Sequence, residues 1–162
     1  MKSLDEVLSY SNAAIPRVFR QTFDISEEET EDIFRETKKF LWICALSRAE
    51  FSKDSVGVPE KIFVHKSMLV IDQLWHIFIN HTRLYTDFCE KYLDGYAHHC
   101  PREPGSKGPT AEESELQLSY IYDKLGEETL VKWYDTYEEH YSPAKLQNLL
   151  KPQDFNTSDE EA

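Results

Sequence analysis

The chain has 162 residues, 40% of them apolar and 13% aromatic, enough for one hydrophobic core without metal or disulfide staples. Its formal net charge of −12 excludes non-specific attachment to nucleic acid or anionic membranes, both of which need clustered Lys and Arg. No stretch approaches the ~18 consecutive apolar residues of a membrane span. The opening MKSLDEVLSY carries acids where a signal peptide needs a basic and then an apolar region. Cys44, Cys89 and Cys100 form neither an even framework nor a CxxC pair, so reduced thiols and a cytoplasmic location are expected, with non-classical export left open.

In chain order, SLDEVLSYSNAAIPRVFRQTF (3–23) reads as one or two short helices, with Pro16 in the first turn of the second. A long helix then opens at Ser26, where Glu29 completes a capping box and Glu27 and Glu28 complement the positive helix end. Ile33, Phe34, Thr37, Phe40, Leu41, Cys44 and Ala45 recur at spacings of three and four, an apolar stripe running to about Phe51. Cys44 belongs to that stripe as a core thiol. Gly57 and Pro59 break the pattern within SKDSVGVPE.

The next helix, within KIFVHKSMLVIDQLWHIFI, is apolar nearly all round between Met68 and Ile79 and is expected at the centre of the fold. A further helix runs from near Thr82 to Asp94, with Gly95 as a left-handed stop. CPREPGSKGPT (100–110) is a surface loop. Thr110 and Glu113 make a second capping box for a helix through Leu116, Leu118, Ile121, Tyr122 and Leu125. Gly126 ends it, and EETLVKWYDTYEEHY begins the last one. The expected architecture is an all-α single-domain bundle of about five to seven helices over 1–151. A short extended segment lies near 95–101, and a disordered acidic tail covers 152–162.

Chemistry concentrates in residues 72–101, which hold four of the chain's six histidines. Asp72 and His76, four apart, project from one helix face. The pair is either a satisfied hydrogen bond or part of a metal site, because a carboxylate in apolar surroundings needs a partner. His81 lies ~140° round the helix from His76 and is expected at a helix end. His98 and His99 are neighbours in extended chain, so one of them faces the pocket of His76. Asp72, His76 and one of His98 and His99 thus form a three-ligand set suited to zinc, iron or manganese. Trp75, Phe78, Tyr85 and Cys89 are expected to wall a small apolar pocket beside it. His65 and His140 stand alone near element ends, exposed to solvent. No Gly-rich phosphate loop, G-x-S-x-G or HExxH occurs.

The string VIDQLWHIFINHTRLYTDFCEKYLDGYAHHCP resembles the core pattern of the glycine-rich domain-containing-protein-like family. The matching residues are Asp72, Trp75, His76, Phe78, Ile79, Thr82, Tyr85, Phe88, Cys89, Gly95, His98, His99 and Pro101. YDKLGEETLVKWY (122–134) is similar to the later part of short bacterial members, so the likeness covers residues 40 to 140. It implies a small helical domain and carries no established mechanism. With five glycines, this chain has no glycine-rich region. Two functions follow. One is a protein-interaction module with a buried Asp/His cluster able to bind a divalent metal, its partner meeting the acidic residues of the first long helix (Glu27, Glu28, Glu29, Glu31, Asp32) and of the tail (Asp159, Glu160, Glu161). The alternative is a metal-dependent enzyme of hydrolase or oxygenase type, with an open metal position activating water or oxygen.

Overall fold

The structure, a computed structural model, describes residues 1–53, 56–100, 105 and 107–152. The tail expected from 152 lies almost wholly outside the described residues, as do Pro101 of the motif and part of the following loop.

Helix α1, Leu4–Leu8, is opened by a capping box between Ser3 and Glu6, and α2 spans Ala14–Thr22 with Pro16 buried in its first turn. Helix α3, Glu27–Phe51, starts where sequence places it: Ser26 accepts from the Glu29 amide, and Glu29 accepts from the Ser26 amide. At ~1.5 Å per residue it is roughly 37 Å long, the spine of the bundle. Its apolar stripe is buried from Ile33 to Ala45, whereas Phe51 at its end is 44% exposed, and Cys44 packs against the core with its thiol pushed up to about 12 by burial.

Segment 56–65 crosses the surface without helix. Its backbone polarity is met by side chains: the Gln117 amide accepts from the Phe63 N–H at 2.7 Å and donates to the Phe63 carbonyl at 2.9 Å. Ser47 donates to the Pro59 carbonyl. A short 3₁₀ turn, Lys66–Met68, leads into α4, Leu69–Asn80. Helix α4 lies centrally against α3, with Phe34 edge-on to Phe78 (5.9 Å between centroids) and Phe40 edge-on to Trp75 (5.7 Å). It is not buried on every side. The Asp72/His76 face reaches the surface, and His76 is 46% exposed.

Helix α5 covers Thr82–Phe88 and continues as a π-helical turn, Cys89–Leu93. The left-handed stop expected at Gly95 falls one residue earlier, at Asp94 (φ 59°), a residue type whose short side chain tolerates that conformation. Helix α6, Ala111–Leu125, has the Thr110/Glu113 capping box and ends at Gly126, where φ is 84°. It buries Gln117, Tyr120 and Ile121, whereas Tyr122 is 51% exposed. Helix α7 runs as Glu127–Val131, a π turn Lys132–Thr136, and Tyr137–Tyr141. One further helix, α8 (Pro143–Leu149), follows it. Leu150 bridges to Phe23, returning the C-terminal end to the start of α3. The outcome is the expected all-α architecture: no strand is present among the described residues, and none of their helices is long and apolar enough to cross a membrane.

Candidate metal centre

Two elements converge at the site. Helix α4 supplies Asp72 and His76 one turn apart, and the non-helical return after α5 supplies His99. Asp72 Oδ1 lies 2.8 Å from His99 Nε2, and Asp72 Oδ2 lies 3.3 Å from His76 Nδ1. The two imidazole centroids are 4.4 Å apart. One donor atom from each residue falls within 4.8 Å of the others. Asp72 and His99 are about 15% exposed, so the carboxylate is held in a partly desolvated place where a hydrogen-bond partner is needed.

The return segment has no helical ladder and is held by side chains instead. Tyr85 donates to the Ala97 carbonyl at 2.6 Å, and Arg48 donates to the Tyr96 carbonyl at 3.0 Å. Alternation then decides between the two histidines. Ala97 and His99 turn inward, while Tyr96, His98 and Cys100 are exposed. His98 lies outside the cluster, its ring 4.8 Å from that of Tyr96. The small Ala97, two before His99, is a parity signal present in the sequence.

Trp75, Phe78, Tyr85 and Cys89 are buried beneath the cluster and packed on one another. Trp75 Nε1 donates to the Tyr85 hydroxyl at 2.9 Å, and the Trp75 ring meets His99 at 4.5 Å. Burial pushes the Tyr85 phenol and the Cys89 thiol above their usual ranges, leaving both protonated at neutral pH. His81 sits at the α4–α5 junction with Nδ1 2.9 Å from the Ile77 carbonyl, and His65 and His140 are exposed, as their positions suggested. A surface groove of about 340 Å³ between Phe51, Val58, Lys61, Phe63 and Leu116 shares no residue with this cluster.

A second polar cluster escaped the sequence reading. Glu36 on α3, 1% exposed, accepts from Trp133 Nε1 and Lys39 Nζ at 2.8 Å each. Lys132 stands 3.8 Å from it and binds Asp32 at 2.8 Å. Each charge there has an opposite partner, so the cluster is a fastening between α3 and the π turn of α7.

Among metals, two imidazoles and one carboxylate suit the borderline ions zinc, iron and manganese. Tetrahedral donors at ~2.0 Å from zinc stand ~3.3 Å apart, so on loading the 2.8 Å Asp72–His99 contact would open while any wider separation, up to the 4.8 Å limit, would close. The half-exposed His76 ring is the freest to make that move. Three protein donors leave coordination positions open.

The profile of the UCP032817-like family matches residues 3–131, about four-fifths of the chain, including both elements of the site. The chain belongs to that family. No curated protein and no solved structure matches it. The family description names no reaction and makes no mention of a glycine-rich domain.

Proposed function

We propose that the chain is a metal-binding helical domain that holds one divalent transition-metal ion through Asp72, His76 and His99. The observation that carries this is the meeting of one carboxylate and two imidazoles, all within 4.8 Å, from elements far apart in sequence. Asp72 supplies negative charge, His99 is the fixed donor, and His76 closes the set from the solvent side. The likeness of residues 72–99 to the glycine-rich domain-containing-protein-like core supports treating these residues as one motif. Open positions toward solvent would let the ion polarise water or a substrate oxygen, which is the route to a hydrolase or oxygenase activity.

A second reading is favoured by the 2.8 Å contact between His99 and Asp72, which satisfies both groups without an ion. The cluster is then a lock that fastens the return segment to α4, and the domain acts as a protein-interaction module. Its acidic α3 terminus is partly committed inward, since Glu27 pairs with Arg20, Glu29 accepts from Tyr141, and Asp32 binds Lys132. Glu28 and Glu31 remain exposed for a basic partner.

Metal analysis of tag-free protein, with Asp72→Ala and His76→Ala beside it, separates the two. About one equivalent of metal in the wild type, lost in both variants, supports the metal site. Metal-free protein whose melting ignores both EDTA and added Zn²⁺ overturns it. If His99→Ala then loses about 2 kcal/mol, the lock is established instead.

A further inference from the structure

We infer that Tyr85 is the positioning residue of the metal site, its buried hydroxyl setting where the third donor, His99, stands. The inference rests on reading Asp72, His76 and His99 as one site, and it adds the residue that assembles it. Asp72 and His76 are placed by the helix that carries both. His99 comes from a stretch with no helical ladder, so its position is imposed from outside. A slip of one residue along an extended segment would turn His99 outward and His98 inward.

Tyr85 opposes that slip. Its hydroxyl donates to the Ala97 carbonyl at 2.6 Å, two residues before His99 and on the same side of the segment. The direction of this bond is fixed by the Ala97 carbonyl, which can only accept, and Trp75 agrees with it. An indole N–H can only donate, so the Tyr85 oxygen accepts from Nε1, 2.9 Å away, and sends its own proton to Ala97. Trp75 also places its ring 4.5 Å from that of His99, and it sits between Asp72 and His76 on α4. The chain of contacts therefore closes on itself, from α4 through Tyr85 of α5 to the return segment and back to Trp75. All three anchoring groups are buried, which shields the bonds from competing water.

The test is Tyr85→Phe, which removes one oxygen and keeps the ring. Zn²⁺ affinity by competition titration is expected to fall ~10- to 100-fold, as for groups that orient a ligating histidine, with helical circular dichroism retained. In a His99→Ala background the same substitution should change residual Zn²⁺ affinity by less than about twofold. The His99 ring protons of the metal-free protein, displaced by the Trp75 ring, should move toward their free-imidazole positions in Tyr85→Phe. If wild-type protein binds no Zn²⁺, the metal reading fails, and the His99 resonances alone decide the positioning role. An affinity loss below about twofold, an equal loss without His99, or unmoved His99 resonances overturns the inference. Should Tyr85→Phe not fold, Trp75→Phe, which withdraws the Nε1 donor and keeps a ring, is read by the two Zn²⁺ titrations, with and without His99, because it also removes the indole ring that displaces the His99 protons.

Discussion

Asp72 Oδ1 and His99 Nε2 stand 2.8 Å apart although 27 residues separate them in the chain. A carboxylate so placed would serve a bound metal by its charge and serves the fold by its hydrogen bond, and Asp72→Asn divides these roles. The amide keeps the size and one acceptor oxygen, so metal-free stability should stay within about 1 kcal/mol of the wild type. Zn²⁺ at ~100 times its Kd should stabilise the wild type by about 2.7 kcal/mol. The variant should lose most of that gain. Equal stabilisation of both proteins by Zn²⁺ in thermal melts would count against Asp72 as a ligand.

Glu36→Leu should be costly despite lying on a helix that is otherwise intact. The substitution leaves Trp133 Nε1 without its acceptor and strips Lys39 of its 2.8 Å partner, both beside a core aromatic contact between Phe40 and Trp133. We expect a loss of about 2–4 kcal/mol by urea titration, the range for orphaning a buried donor together with part of an ion pair. Glu36→Gln, which keeps an acceptor for the indole, should lose less. A change under about 1 kcal/mol for Glu36→Leu would mean that the cluster holds little.

These two sites differ in how far they were legible beforehand. The capping boxes at Ser26 and Thr110 are local, since both partners lie within four residues, and each appears where the sequence puts it. Asp72 and His76 follow likewise from helix spacing. The choice of His99 over His98 is hinted at locally only by the small Ala97 two residues earlier, and the Tyr85 bond that holds Ala97 comes from 12 residues away. Glu36 resembles the other acids of α3 until α7 arrives 97 positions later and buries it. The stop at Asp94 closes a π turn, Cys89–Leu93, a geometry that 3.6-residue periodicity does not contain.

Thiol chemistry should distinguish the three cysteines. Burial pushes Cys44 up to about 12 and raises Cys89, so neither offers thiolate near pH 8, while Cys100 is exposed on the return segment. Ellman's reagent at pH 8 should find one fast thiol per native chain and three after denaturation, with Cys100→Ser removing the fast one. A second fast thiol in the native protein would contradict the burial of Cys44 or Cys89.

Acid should weaken the fold through carboxylates that are better bound in the native state. Glu29 is held below the ordinary 4.5 chiefly by the Ser26 hydroxyl of its capping box, and Glu50 chiefly by the Lys124 ammonium, with Tyr120 also donating to it. For each, the unfolded chain binds the proton more readily, so stability rises with pH across the window between folded and unfolded values. Their contribution is therefore full above about 4.5 and is lost as pH falls through the lower folded values. Melting temperature should be insensitive to these groups between pH 7 and 5 and should drop below that. Glu50→Gln lacks the titrating group, so its stability deficit against the wild type should shrink as pH is lowered from about 5 to 3. A deficit that stays constant over that range would mean that the Lys124 contact does not depend on the Glu50 charge.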